Sequence, residues 1–319
     1  MQCTCDSLMR QESVYSVRQR LRDYYYVTKP NVISLLVFTG AASYIASAGW
    51  HSTALTLIIV SATIWLGSAA ANTVGSYFDR DIDAVMKRTS SRPIPTGRIA
   101  PINAAYYGLV LLAASLILSY YFLSPLSSIA MFVGFIDYTV VYSFLLKRRS
   151  WLNIILGGFS GVMPVLVGYY ATPNPVITLA SALFLGFLVF FWIPEHIWSL
   201  AIRFRADYQA AKIPMLPVVI PETRSVQVIA GTTILMVAFS LLPIAFPSLS
   251  LHLIYFGFSA VLGGMMLLAN IWLLRDPTAK RSLLSPILIP AGIFRTLNVS
   301  LIDCSSISHP PNLAPPWAS

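Results

Sequence analysis

The chain has 319 residues, 56% of them hydrophobic and only 10% charged, with a mean hydropathy of +0.71. A soluble domain carries about 25% charged residues, so a water-soluble globule is excluded and a protein solvated by lipid is expected. The net charge is +9, and its placement along the chain, given below, accounts for it without a nucleic-acid partner.

The first 30 residues are polar, with Asp6, Glu12 and Asp23 set among basic residues. They have neither the early apolar segment nor the cleavage site of a signal peptide. They read as a cytoplasmic arm, and with no transit peptide in view a prokaryotic cell membrane is the expected location. A bilayer-spanning helix needs about 20 mostly apolar residues. Apolar runs fall at 31–49, 53–76, 102–122, 127–146, 152–170, 176–202, 226–246 and 251–274. A ninth, at 283–302, is interrupted by Arg295 and two prolines, and an irregular proline-rich tail follows at 303–319. The spacing predicts an all-α, polytopic bundle of about nine transmembrane helices, with residues 31–302 as one intramembrane domain. Cys3, Cys5 and Cys304 show no metal-ligand spacing and read as incidental thiols.

Basic residues collect on the cytoplasmic side of short membrane links. Arg10, Arg18, Arg20, Arg22 and Lys29 precede the first run. Arg80, Lys87, Arg88, Arg92 and Arg98 follow the second, and Lys147, Arg148 and Arg149 follow the fourth. Arg203, Arg205, Lys212 and Arg224 follow the sixth, and Arg275, Lys280 and Arg281 the eighth. All 21 Lys and Arg except Arg295 therefore lie on alternate links. The alternation supports the helix order and puts the N-terminus in the cytoplasm. Two cytoplasmic links, 77–101 and 203–225, are long, and long polar links on one face of a bundle are where function concentrates.

The first of these links opens on a polar stripe. Asn72, Ser76, Asp79 and Asp83 share one face at helical spacing, and Asp81 points elsewhere. The helix C-terminus already carries about half a negative charge, so added carboxylates call for something positive. Hard oxygen ligands at close spacing suit Mg²⁺ shared with substrate phosphates. A solvated acidic end balanced by Arg80, Lys87 and Arg88 has the same composition. Lys87, Arg88 and Arg92, next along the chain, suit a diphosphate clamp, because Arg grips phosphate oxygens in pairs. They equally suit a positive-inside anchor. In the sixth run, Pro194-Glu195-His196 places ionisable groups where burial in lipid is costly, which points to a cavity and a partner. Pro194 is expected to break the helix there. Asp137 lies in the fourth run, as a structural hydrogen-bond partner or a site-lining group. His51, His252 and His309 lie at outer edges or in the tail.

These motifs resemble the UbiA-type intramembrane prenyltransferases, and within them the branch that farnesylates haem. Thr28-Lys29-Pro30 is similar to that branch's opening. Asp79 to Asp83, with Met86-Lys87-Arg88-Thr89 and Arg92-Pro93, resembles the family's first aspartate-rich motif and its basic extension. Tyr142 to Arg148, with Asn153, Gly157, Pro164 and Gly168, resembles the next segment. His196-x-Trp198 and Asp207-Tyr208 with Pro214-Met215-Leu216-Pro217 are similar to the haem branch in particular. The likeness covers roughly residues 24–282. The family pattern usually has Asn at the position of Gly75 and Asn or Asp at Ser76, and Asn72 stands one turn earlier. Many relatives outside the haem branch carry Asp where His196 stands, leaving Asp207 as the surviving carboxylate of the second motif.

The resemblance implies a helical bundle around a cavity open to the membrane, with farnesyl diphosphate and haem B as substrates and haem O and pyrophosphate as products. It implies Mg²⁺ on Asp79, Asp83 and Asn72, and a diphosphate held by Lys87, Arg88 and Arg92 with Lys147 and Arg148. Asp207 joins the substrate-binding set, His196 would ligate haem iron or orient a propionate, and Glu195 would serve as a base. Tyr77, Phe191, Trp192 and Trp198 would shield the farnesyl cation. Two other readings stay open on the residues alone. One keeps prenyl transfer with a quinone precursor, a chlorin or a glycerol ether lipid as acceptor. The other is a cation transporter built on broken helices.

Overall fold

The computed structural model describes residues 16–246 and 253–275, and every described regular element is a helix. A helix in the arm, α1 (Val17–Val27), starts on Ser16, whose hydroxyl accepts from the Gln19 amide. Then come α2 (Pro30–Ala48), α3 (Ala54–Phe78) and a short α4 (Arg80–Val85). They are followed by α5 (Pro101–Phe122) and α6 (Pro125–Ile136), the latter running on into a wider stretch at Asp137–Leu146. The rest comprises α7 (Asn153–Leu156), α8 (Met163–Tyr170), α9 (Leu179–Arg203), α10 (Arg205–Ala210), α11 (Leu216–Val219), α12 (Glu222–Ser240) and α13 (Leu253–Arg275).

Among the described residues seven helical segments are long and apolar enough to cross a membrane, from Pro30–His51 to Glu222–Ile244. The apolar helix α13 follows them. Each corresponds to one of the first eight apolar runs, with ends displaced by a few residues. The ninth run, the tail, the three cysteines, His252 and His309 lie outside the described residues.

Lipid gives helices no hydrophobic reason to associate, so close approach and interhelical hydrogen bonds hold the bundle. Gly40 of α2 meets Gly168 of α8 backbone to backbone, with no room for a Cβ at either. The Ser43 hydroxyl donates to the Val165 carbonyl at 2.7 Å, Ser115 to Thr63 at 2.8 Å and Ser127 to Val167 at 3.1 Å. The central helix α3 is lined with small buried residues, including Gly67, Ala69, Ala70 and Ala71. Large apolar side chains such as Phe38, Ile58, Val110 and Phe132 are left facing outward.

Two local features differ from the sequence expectation. Pro194 does not break its helix: α9 runs continuously from Leu179 to Arg203 with the proline inside it. The ring removes one amide donor, while neighbouring helices hold the remaining turns in place. The second feature is the ten-residue π-helical stretch Asp137–Leu146, wider than an α-helix. It ends where the Lys147 amide donates to the Tyr142 carbonyl at 2.8 Å. Such insertions are rare and recur at functional sites.

Candidate active site at the cytoplasmic helix ends

α3 ends at Phe78, and Asp79 serves both as its C-cap and as the N-cap of α4. The amide chain stays nearly in register, with Asp79 N–H to Gly75 at 2.9 Å and Asp83 N–H to Asp79 at 2.8 Å. Asn72, Ser76, Asp79 and Asp83 consequently share a buried face, as their spacing indicates, while the side chain of Asp81 is 60% exposed.

Each buried carboxylate meets a cation from another part of the chain. Lys147 Nζ lies 2.5 Å from Asp79 Oδ2, and Arg92 Nη1 lies 2.8 Å from Asp83 Oδ2. Burial alone would lower the Lys147 ammonium, but the Asp79 carboxylate outweighs it and holds the group above its ordinary range. The π-helical stretch brings Lys147 to this position. Its Tyr138 packs against Gly75, where a Cβ would come within 2.9 Å of the ring, and donates to Asn72 Oδ1 at 3.2 Å. Its Tyr142 fits over Gly157, which also leaves no room for a Cβ.

Sequence reasoning omitted Lys29 from the site. This residue joins α1 to α2 with φ +59°, a left-handed conformation rare for a side chain other than glycine. It lines a crevice of about 10 Å³ together with Ser76, Asp83 and Arg92. Burial, aided by the nearby Arg92 cation, lowers its ammonium from 10.5 to about 8. The signal available beforehand was the Thr28-Lys29-Pro30 run, since a proline at the start of a helix fixes where the preceding lysine stands.

The other expected residues divide into three groups. Arg148 grips Asp81 with two hydrogen bonds of 2.6 Å and also reaches the Phe78 carbonyl at 2.7 Å. That pair lowers the Asp81 carboxyl and raises the guanidinium, chiefly through the shared hydrogen bonds. Lys87 and Arg88 are exposed at the rim. The Arg88 amide donates to Asp207 Oδ2 at 3.2 Å and its guanidinium lies 5.0 Å over the Phe204 ring, so the two long cytoplasmic links touch here.

Glu195 and His196 form a separate group deeper in the bundle. Glu195 is fully buried, and neither of its oxygens has a hydrogen-bond partner. His196 stacks on Trp192 at 4.4 Å and 17°, with Nδ1 unpartnered. One turn on, Trp198 packs among Ile82, Met86 and Ile154, which connects this group to the aspartate link through apolar contacts. Phe191 packs on Phe239 and Tyr77 lies under Arg80, so the expected aromatic residues are dispersed along the bundle. Asp137 accepts from the Ser160 amide at 2.7 Å.

Among the described residues no three His, Cys, Asp or Glu side chains converge as a metal cluster. A divalent ion held here would draw on the Asp79 and Asp83 carboxylates, the Asn72 amide oxygen and a substrate phosphate. Asp79 Oδ1 is buried without a partner. With Asp83 and the Asn72 oxygen it makes an all-oxygen donor set, which fits Mg²⁺ bound through one or two carboxylates and phosphates.

The UbiA prenyltransferase family profile matches residues 35–286. The chain is 39% identical to a protoheme IX farnesyltransferase of Thermoplasma volcanium, over 83% of this chain and 91% of that one. It is 40% identical to the protein of the same name in Desulforudis audaxviator, over 83% of each. Among solved structures it is similar to a UbiA homologue from Archaeoglobus fulgidus bound to DMAPP and Mg²⁺, with a TM-score of 0.66 and 15% identity, covering 88% of this chain and 98% of that one. A digeranylgeranylglyceryl phosphate synthase gives a TM-score of 0.64 at 18% identity, covering 88% and 95%. At these identities the two structures speak for the fold.

Proposed function

The chain belongs to the UbiA prenyltransferase family, and on that premise we propose that it transfers farnesyl from farnesyl diphosphate to a vinyl group of haem B, giving haem O and pyrophosphate. The observation that carries donor and acceptor is the 39% identity to a protoheme IX farnesyltransferase across 83% of the chain. The site supports the same reading: carboxylates and cations cluster at the cytoplasmic mouth, which suits a diphosphate better than an ion pathway through the membrane.

In the reaction the C1–O bond of farnesyl diphosphate breaks and its electron pair leaves with pyrophosphate. Farnesyl C1 bonds to the vinyl terminus, and water supplies a hydroxyl to the adjoining carbon and releases a proton. Asp79, Asp83 and Asn72 would hold Mg²⁺, which neutralises charge on the leaving pyrophosphate. Arg92, Lys147 and Lys29 are preorganised around the same carboxylates. With diphosphate present they would share their charge with its phosphate oxygens, so that charge developing on the leaving group meets cations already in place. Lys87 and Arg88 guide the diphosphate at the rim, and Arg148 and Asp207 brace the links that carry the site. Glu195 and His196 serve the acceptor side, His196 toward the haem iron and Glu195 toward the proton released by water.

The test is mass spectrometry of haem extracted after the purified full chain is incubated with haem B, farnesyl diphosphate and Mg²⁺. Farnesylated, hydroxylated haem that disappears with EDTA is expected. Unchanged haem alongside released pyrophosphate would reassign the acceptor.

A further inference from the structure

A second polar groove lies at the cytoplasmic surface, distinct from the crevice beside Asp83. It has a volume of about 460 Å³ and is lined by Arg20 and Tyr24 of α1, Thr96 and Arg98 of the link between α4 and α5, and Asn103 in the first turn of α5. Two arginines and no carboxylate line it. Arg98 is fixed from behind, with Nε 3.2 Å from Asp23 and Nη2 donating to the Ser91 carbonyl at 3.0 Å. The walls are held by packing as well. Tyr24 meets Tyr107 edge-on at 5.0 Å, and Val27, Ile94, Ile99 and Ala104 form a buried cluster between α1 and α5.

The position of the groove indicates its occupant. The apolar span of α5 begins at Pro101, which would set the groove at the level of lipid headgroups. On the same helix, Ile102, Tyr106, Leu109 and Val110 are exposed. Along α1, Val17, Leu21 and Tyr25 are exposed at four-residue intervals, with Arg18, Arg20 and Arg22 between them. An apolar stripe among arginines suits a helix lying in the plane of an anionic membrane surface. We propose that this groove binds the phosphate headgroup of an anionic phospholipid, whose acyl chains run along the exposed face of α5. The lipid fastens α1, and with it Lys29 two residues beyond, to the bundle.

The test measures lipid retained by the purified full chain after exchange into detergent containing equal phosphatidylglycerol and phosphatidylcholine. The wild type retains phosphatidylglycerol in preference. Because an arginine at an anionic surface contributes about 1 kcal/mol, R20Q lowers that retention about fivefold. R149Q removes the same charge from an exposed position on another cytoplasmic link, outside both the groove and α1, and leaves retention unchanged. N103L, which fills the groove without altering charge, also lowers it and serves if R20Q fails to fold. Equal losses in R149Q and R20Q would show general surface attraction and overturn the site. So would displacement of the lipid by inorganic phosphate at equal concentration, or by haem B. The readout does not depend on prenyl transfer, so it stands or falls apart from the catalytic reading.

Discussion

Lys147 Nζ lies 2.5 Å from Asp79 Oδ2, and the other Asp79 oxygen is buried without a partner. The two charges of the pair offset each other, yet one carboxylate oxygen is left without a hydrogen bond. Removing either member leaves a buried charge, which costs about 3 kcal/mol. D79N and K147M should each lower thermal stability, whereas the D79N/K147M double variant should recover most of it. Farnesyl transfer should fall roughly 10²–10³-fold in all three, the loss expected on removal of one preorganised electrostatic group. Recovery of turnover along with stability in the double variant would make the pair purely structural.

Asp81 provides the contrast within the same motif. Its bidentate bridge to Arg148 is well formed, but the carboxylate side chain is 60% exposed and that of Arg148 41% exposed. Exposed bridges contribute about 0–1 kcal/mol. D81N should keep kcat within about twofold and change stability little, whereas D83N, with a buried carboxylate, should abolish turnover. Matching losses in both would mean that the motif acts as an undivided acidic patch.

The contrast also shows what could be read from the chain alone. The eight helices were legible because apolar length and alternating charge are local properties that lipid imposes on any span. The buried face of Asn72, Ser76, Asp79 and Asp83 was legible from helical spacing. The pairing of Asp79 with Lys147 was not, because it depends on the π-helical widening at Asp137–Leu146, and that depends on two distant glycines, Gly75 and Gly157. The helix through Pro194 was misjudged for a related reason, since packing along its length outweighs one lost amide bond. The left-handed turn at Lys29 leaves no trace in hydrophobic periodicity.

At Gly75 the Tyr138 ring occupies the space a side chain would need. G75N should overpack the α3 contact and destabilise the protein by about 1–3 kcal/mol. Trimming the ring in G75N/Y138A should relieve that cost, and Y138F alone should leave stability nearly intact. Thermal melts of the purified proteins would decide it, and an undisturbed G75N melt would remove Tyr138 as the cause.

Lys29 should impose an alkaline limit on activity. Its ammonium titrates at about 8, lowered chiefly by burial, so the charged form dominates below that pH and is lost above it. If the ammonium grips diphosphate, kcat/KM for farnesyl diphosphate reports the free enzyme and declines as pH rises through about 8. K29R, whose charge does not titrate in this range, should extend the plateau, and K29M should lower it and remove the limb. A wild-type profile that stays flat to about pH 9.5 would dismiss Lys29 as a diphosphate ligand.

His196 tests the acceptor side. Its ring is held parallel to Trp192 at 4.4 Å, and Nδ1 is unpartnered within a membrane helix. An imidazole fixed in orientation and lacking a hydrogen-bond partner is poised either to ligate iron or to bond a carboxylate, and these differ in the spectrum. If it ligates, the Soret band of ferric haem B bound to the full chain shifts in H196A and returns on addition of free imidazole, because an axial nitrogen sets the iron's electronic state. If it bonds a propionate, H196A weakens haem binding with the band unmoved and imidazole has no effect. W192L should give a partial form of whichever result holds, since it frees the ring without removing it. Unchanged haem binding and spectrum in H196A would leave His196 as a packing residue and move the search for the haem contact to Glu195, one position earlier on the same helix.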